Sequence, residues 1–141
     1  MAYLGLEEQI QEVRSRDPRY HQAAYFFVLE ALDYTIANLG RYDRGGEERH
    51  VDGTELALGI GRYAIFRFGP LADRVFARWG VSTSDDLGEI VFNMVDCGLL
   101  NSRPEETRAD FAGAFDFGER FSPAAGIEVD WDDLRWEPEE N

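Results

Sequence analysis

The sequence predicts a mainly α-helical fold, in which a single compact domain contains about five helices. Apolar residues recur at helical spacing in successive segments, and glycine or proline separates one segment from the next. The chain has 141 residues, of which 44% are apolar and 13% aromatic, enough to bury one core. A short Phe-rich segment and an acidic C-terminal extension follow the helices. We therefore divide the chain into a helical domain, residues 1–121, and an acidic segment with aromatic anchors, residues 122–141.

The first two predicted helices differ in character. Residues 6–16 carry apolar side chains on one face, and the helix ends before Pro18, because the residue before a proline avoids the helical conformation. The second helix spans about residues 19–39, with Gly40 as its C-terminal cap. Its middle, residues 23–29, is apolar on every side. Such a helix is buried on most sides, so we expect it to be the central element.

A polar loop, residues 41–53, leads into a third helix, which spans about residues 54–68. Asp52 lies three residues before Glu55, the spacing of a capping box in which each side chain satisfies the other residue's backbone N–H. The same residues therefore predict where this helix begins.

The fourth and fifth helices are predicted from their starts. Pro70 fits the first turn of a fourth helix over residues 70–79, because its missing N–H would be unpaired there. Residues 82–86 combine hydroxyl and carboxylate side chains, which is typical of an N-terminus, and open an amphipathic fifth helix that ends at Gly98.

The Phe-rich segment follows a polar connection, residues 101–109. It consists of two hexamers, residues 110–115 and 116–121, and each has the pattern Asp-Phe-x-x-x-Phe. The phenylalanine spacing fits short helical turns, although Phe115 and Phe117 also alternate as in a brief strand. Two units are too few to form a repeat fold.

The net charge is −14, from 28 acidic residues against 14 basic residues, and every basic residue is an arginine. The arginines are scattered among acidic neighbours, so no basic face is predicted to bind nucleic acid or an anionic membrane. We interpret the charge mainly as adaptation to high salt, or as the codon bias of a GC-rich genome, and the alternative is a functional acidic face. The chain has no apolar run of bilayer length and no leader, which favours a cytoplasmic location.

Part of the chain resembles a known family. The residues that carry the resemblance are Arg49-His50-Val51-Asp52-Gly53-Thr54-Glu55-Leu56, Phe68-Gly69-Pro70-Leu71-Ala72, Trp79-Gly80-Val81 and Asp86-Leu87-Gly88-Glu89-Ile90-Val91-Phe92-Asn93-Met94-Val95. They resemble a family of small uncharacterised bacterial proteins best known from the planctomycete and verrucomicrobial lineage. The resemblance covers about residues 20–121, and Leu87 departs from it where the family pattern has Phe. It implies a cytoplasmic globular domain, and it implies no catalytic residue because the family has no assigned activity.

His50 is the best candidate for catalysis, because Asp52 follows it closely and a histidine beside a carboxylate can act as a general base. Asp52, however, is already needed as a helix cap. Glu89 and Asn93 lie one turn apart on the fifth helix and form either a structural pair or the lining of a ligand pocket. A small enzyme or ligand-binding domain centred on these four residues is therefore one alternative function.

The sequence predicts no metal site, no reactive cysteine and no phosphate-binding loop. A metal site would require His21 and His50 to converge with Glu30 or Asp33, and their spacing matches no metal-binding motif. Cys97 is interpreted as a core thiol, because a nucleophilic cysteine would need a nearby imidazole and a lowered pKa. One cysteine also excludes an intramolecular disulfide. The pair Gly59 and Gly61 lacks the lysine of a phosphate-binding loop, so we expect these glycines to let two helices approach closely. We predict no catalytic residue, no metal and no cofactor.

The acidic segment suggests a partner. Residues 122–141 contain seven acids and one arginine, and within them lie three candidate partner-binding residues, Trp131, Leu134 and Trp136. Aromatic anchors of this kind bind other proteins, or they pack against the chain's own domain. We therefore predict a non-catalytic interaction or accessory protein. A second alternative is a scaffold resembling a helix-turn-helix over residues 70–100 that acts through protein contacts, since its recognition helix has no basic residue.

Overall fold

The computed structural model describes residues 2–41, 43–117 and 121, and over these residues it is mainly helical and has no strand. Its α-helices are α1 (Ala2–Arg16), α2 (Gln22–Asn38), α3 (Gly53–Phe68), α4 (Ala72–Arg78) and α5 (Ser84–Asp96). Shorter 3₁₀ turns occupy Gly46–Arg49, Gly69–Leu71 and Arg108–Phe111. None of the helices in this part of the chain combines the length and the apolar character that a membrane span requires.

The expectation of about five helices is corrected to four long helices, α1, α2, α3 and α5. The remaining described α-helix, α4, has only seven residues. The predicted fourth helix, residues 70–79, divides into a 3₁₀ turn and the two-turn α4. Gly69 and Gly80 bound it with φ of +54° and +88°. The two glycines therefore mark the outer limits of the segment, and α4 is shorter than predicted because the 3₁₀ turn takes up its first residues.

The prediction that α2 is the central element is confirmed. It packs against α1, α3 and α5, and its buried residues include Tyr25, Phe27 and Val28. The helix begins at Gln22, later than the sequence suggested, because the Nδ1 atom of His21 accepts a hydrogen bond from the N–H of Ala23 at 3.0 Å. His21 therefore acts as the N-cap, a position more often occupied by Ser, Thr, Asp or Asn.

Helix α3 begins where the capping box predicts. The N–H of Glu55 donates to Oδ1 of Asp52 at 2.8 Å, and the N–H of Asp52 donates to Oε1 of Glu55 at 3.1 Å. Further along α3, Gly59 lies against Thr35 of α2, closer than a side chain at this position would permit. The interpretation of Gly59 as a site of close helix approach is confirmed.

The Phe-rich segment closes the core. Phe111 ends the third 3₁₀ turn, is fully buried, and lies against α5 where Gly88 leaves room for it. Phe117 and Phe121 pack against Phe76 of α4, with ring centroids 5.3 and 5.5 Å away. The first hexamer therefore begins in a helical turn, and Phe121 is part of the domain. Residues 122–141, with the predicted anchors, lie outside the described residues.

Candidate functional site

An apolar groove is the most distinctive surface of the described structure. It lies between α2, the first turn of α3, the second half of α5 and the connection that follows α5, and it encloses about 580 Å³. Its aliphatic lining includes Leu32, Ile36, Val91, Val95, Leu99 and Leu100. Val95, Leu99 and Leu100 are only half-buried. The groove can therefore accept apolar side chains from a ligand or a protein.

A histidine–carboxylate pair stands in the wall of this groove. The Nε2 atom of His50 is 3.1 Å from both carboxylate oxygens of Glu106, and the side chains are 15% and 9% exposed. The N–H of Arg103 donates to the same carboxylate at 2.7 Å. Burial raises the pKa of Glu106, but the hydrogen bonds from Arg103 and His50 outweigh it, so the pKa is lowered overall. The pair joins the loop before α3 to the connection after α5.

Asp52 caps the start of α3 and is not the carboxylate partner of His50. Its carboxylate caps α3, while Arg41 holds the other member of the capping box: its two terminal nitrogens lie 3.0 and 2.9 Å from the two carboxylate oxygens of Glu55. The hydrogen bond from Arg41 lowers the pKa of Glu55. The same guanidinium donates to the carbonyl of His50 at 2.9 Å. The carboxylate partner of His50 is thus Glu106, which no sequence signal near His50 indicates.

Glu89 and Asn93 belong to a second polar network, on the outer side of α5. The Nε atom of Arg108 donates to Glu89 at 3.0 Å. The Nδ2 atom of Asn93 donates to Asp17 at 2.9 Å and to the hydroxyl of Tyr25 at 3.1 Å. This network fastens the turn between α1 and α2, and the connection after α5, to the body of the domain.

The four candidate ligand-binding residues are therefore placed in two networks. The connection after α5 reaches both, since Glu106 bonds to His50 and Arg108 bonds to Glu89. Phe92 lies between them: it lines the groove, and the guanidinium of Arg108 lies 5.7 Å from the centre of its ring. Each of the four side chains has a structural partner in the described residues.

His21 and Glu30, two of the residues weighed for metal binding, also have structural partners. His21 caps α2, and Glu30 accepts hydrogen bonds from Arg67 at 2.6 Å and from the hydroxyl of Tyr63 at 3.0 Å. Cys97 is half-buried, with Sγ 3.5 Å from the carbonyl oxygen of Met94, and packs against the core. No group of three metal-ligating side chains comes together within the part of the chain that the structure describes.

The packing of α5 does not suit the predicted helix-turn-helix arrangement. Seven of the 13 residues of α5, the helix that would be the recognition helix, are buried. It packs against α1, α2, α3 and the 3₁₀ turn that ends at Phe111. A recognition helix needs an open face of its own, and most of this one is covered.

The contribution of Asp17 to the second network can be tested through its dependence on pH. A hydrogen bond from Arg19 at 2.6 Å lowers the pKa of Asp17 far below its ordinary value of 3.8, against the opposing effect of burial and with help from Asn93. Because the pKa is lower in the folded state, the stabilisation is complete above about pH 5 and is lost as the pH falls toward about 2.

We therefore expect Asp17→Asn to lower the free energy of unfolding by about 1–2 kcal/mol at neutral pH and by much less near pH 2.5. Urea denaturation at a series of pH values measures this difference. The same loss at both extremes of pH would contradict a role for the charge of Asp17.

Comparison with known proteins gives no match for this chain among family models, curated proteins or solved structures. The resemblance of residues 20–121 to a family of small bacterial proteins therefore stays a prediction.

Proposed function

We propose that this chain is a cytoplasmic, non-catalytic interaction protein that binds an apolar segment of a partner protein in the groove. The observation that carries the proposal is the groove itself, with about 580 Å³ between half-buried aliphatic side chains. Exposed apolar surface costs free energy in water, and patches of this kind commonly mark sites where another protein binds. An apolar face of a partner segment fits such a groove.

The charge around the groove supports a protein ligand. The groove and the polar recess beside it are lined by four arginines, Arg41, Arg44, Arg49 and Arg103, and four carboxylates, Glu48, Asp52, Glu55 and Glu106. The mouth of the groove is thus balanced in charge on a chain whose net charge is −14. A partner segment with acidic side chains beside its apolar ones would therefore meet little net repulsion at this surface.

The predicted candidate residues support a non-catalytic function. His50 is hydrogen-bonded to Glu106 and Asp52 caps α3, while Glu89 and Asn93 hold α5 to neighbouring segments. These bonds account for the four side chains without a substrate. The predicted partner-binding residues Trp131, Leu134 and Trp136 lie outside the described residues, so the groove carries the proposal.

The test uses a photo-crosslinking amino acid in the full chain. Ser102 is exposed and lines the groove, whereas Gln9 is exposed on α1, which contributes no residue to the groove lining. We expect p-benzoylphenylalanine in place of Ser102 to crosslink a partner protein in living cells through a segment rich in apolar residues. The same probe in place of Gln9 is the control. No partner above the Gln9 background would contradict the proposed function.

A pair of substitutions then separates the groove from general surface effects. Val95→Arg places a charge in the groove, and Leu58→Arg places one on the exposed side of α3, where Leu58 is 47% exposed. We expect Val95→Arg to reduce the Ser102 crosslink by about tenfold, as for loss of one binding hot spot, and Leu58→Arg to leave it unchanged. Circular dichroism checks that both variants are folded.

A further inference from the structure

We propose that a second surface of this chain, a row of aromatic side chains on α2, α3 and the end of α4, binds a partner segment that combines apolar and acidic side chains. The inference goes beyond the proposed function, because this surface is separate from the groove. The aromatic row consists of five partly exposed side chains: Phe66, Tyr34, Tyr63, Phe68 and Trp79.

Contacts between the rings make the row continuous. The ring centroids of Tyr34 and Tyr63 are 5.0 Å apart. The guanidinium of Arg67 lies 5.6 Å from the centre of the Tyr63 ring and 5.4 Å from that of Phe68. Phe68 in turn packs against Trp79, with ring centroids 5.8 Å apart. The row therefore extends from α2 across α3 to the end of α4 as one surface.

The composition of the row is that of a protein interface. Aromatic side chains and arginine are enriched at the centres of interfaces and carry much of their binding free energy. Phe66 is 37% exposed and stacks on Tyr34, so a partner can bury more of its ring. Arg67 donates to Glu30 at 2.6 Å and to the hydroxyl of Tyr63 at 2.9 Å. These bonds hold Arg67 in place before a partner binds, which reduces the entropy lost on binding.

The row lies on a different side of α2 from the groove. On α2 the groove is lined by Leu32 and Ile36, and Tyr34 is two residues from each of them. Two residues turn an α-helix by about 200°, so Tyr34 points away from both. None of the five rings of the aromatic row lines the groove. The two surfaces are therefore distinct binding sites.

The charges beside the row favour acidic side chains in the partner. Residues 62–78 contain four exposed arginines and one carboxylate, a charge of +3 within a chain whose net charge is −14. Three of these arginines form no ion pair with the residues that the structure describes: Arg62, Arg74 and Arg78. On the helices that carry the row, they outnumber the two exposed carboxylates Asp33 and Asp73. Carboxylates of a partner can pair with these guanidinium groups.

An unpaired arginine lies near each end of the row. Arg62 precedes Phe66 by one turn of α3, so the two side chains are neighbours on the helix surface. Arg78 directly precedes Trp79. A partner segment that places an apolar side chain on the rings can therefore reach an arginine with an acidic side chain next to it.

A protein segment suits this surface better than nucleic acid does. The net charge of −14 repels a long polyanion as a whole, and nucleic-acid binders gain most of their affinity from clustered cations. A short segment with few carboxylates meets less of that repulsion. Its apolar side chains also gain from burial against the rings.

The test selects for the chemistry of the partner without assuming its identity. Random peptides displayed on phage are selected on the immobilised full chain, and the enriched peptides are then synthesised. We expect a class of peptides that combines Phe, Tyr, Trp or Leu with Asp or Glu and that binds at the aromatic row. Enrichment of basic peptides alone, or no enrichment, would overturn the inference.

Substitutions assign each peptide to its surface. We expect Phe66→Ala and Arg62→Glu each to weaken binding about tenfold in fluorescence polarisation. The matched control is Arg44→Glu, which makes the same charge change at an exposed arginine of the polar recess beside the groove. We expect this control to leave the affinity unchanged, and circular dichroism checks that all three variants are folded.

Three further results would overturn the inference. Peptides that lose affinity only through Val95→Arg bind the groove, which would support the proposed function and leave the row without a ligand. A fluorescein-labelled oligouridylate that binds at physiological salt, and that Phe66→Ala releases, would assign the row to RNA. A dimer detected by light scattering, and dissociated by Phe66→Ala, would assign it to a second copy of this chain. Peptides that bind the row, with none at the groove, would support this inference while the proposed function fails.

Discussion

Phe76→Ala is expected to lower the free energy of unfolding by about 3–5 kcal/mol, the range for removing a fully buried phenylalanine. Phe76 is 1% exposed. Its ring lies 5.8 Å from that of Phe27 in α2 and 5.3 and 5.5 Å from those of Phe117 and Phe121. Phe76 thus joins the central helix to the Phe-rich segment, and the alanine variant would leave a cavity between them. The loss is a large part of the stability of a typical domain.

The matched control for this prediction is Phe66→Ala. Phe66 lies on α3, is 37% exposed, and stacks on Tyr34 at 6.0 Å. We expect Phe66→Ala to lower the free energy of unfolding by about 1 kcal/mol, because little apolar surface is newly exposed and the cavity is open to water. Urea denaturation of both variants measures the difference. Equal losses would mean that the Phe-rich segment does not close the core around Phe76.

The helices were predictable because their signals are local. The capping box of Asp52 and Glu55 requires two residues three positions apart, and the structure contains it. The start of α2 was misplaced because His21 is an uncommon cap, so nothing nearby marked it. The fourth helix was predicted too long because Pro70 fits the start of an α-helix, whereas the structure has a 3₁₀ turn over Gly69–Leu71 before α4 begins.

The candidate site was much less predictable, because its pairs are distant in sequence. His50 and Glu106 are 56 residues apart, and Glu89 and Arg108 are 19 apart on either side of the end of α5. Glu106 and Arg108 lie in a polar connection whose sequence looks like an ordinary loop. The pairing depends on how that connection crosses α5 and meets the loop before α3. The groove likewise exists only once α2, α3 and α5 are packed together.

Gly59→Ala is expected to lower the free energy of unfolding by about 2–3 kcal/mol, although alanine favours a helix over glycine by about 1 kcal/mol. A methyl group at Gly59 would overlap the hydroxyl of Thr35 and lie 2.9 Å from its Cβ. That hydroxyl donates to the carbonyl of Ala31 at 2.7 Å, so it cannot turn away without losing a buried hydrogen bond. Packing between α2 and α3 therefore outweighs helix propensity at this position.

The control is Gly5→Ala in α1, where an added methyl group meets nothing within 4 Å. There the helix propensity acts alone, and we expect a gain of up to about 1 kcal/mol. The opposite signs of the two Gly→Ala substitutions, measured by urea denaturation, would isolate the packing effect. A gain at both positions would mean that α2 and α3 are farther apart than the structure places them.

A double-mutant cycle identifies Thr35 as the residue that Gly59 accommodates. Thr35→Ala removes the hydroxyl and the γ-methyl group but keeps the Cβ, which remains close to the added methyl group. We therefore expect Thr35→Ala to recover about half of the loss caused by Gly59→Ala, an interaction free energy of about 1–1.5 kcal/mol between the two sites. Additive losses would show that the helices resist the methyl group through some other contact. Because α2 and α3 also line the groove, a coupled pair would mean that Thr35 and Gly59 fix the distance between two of its walls.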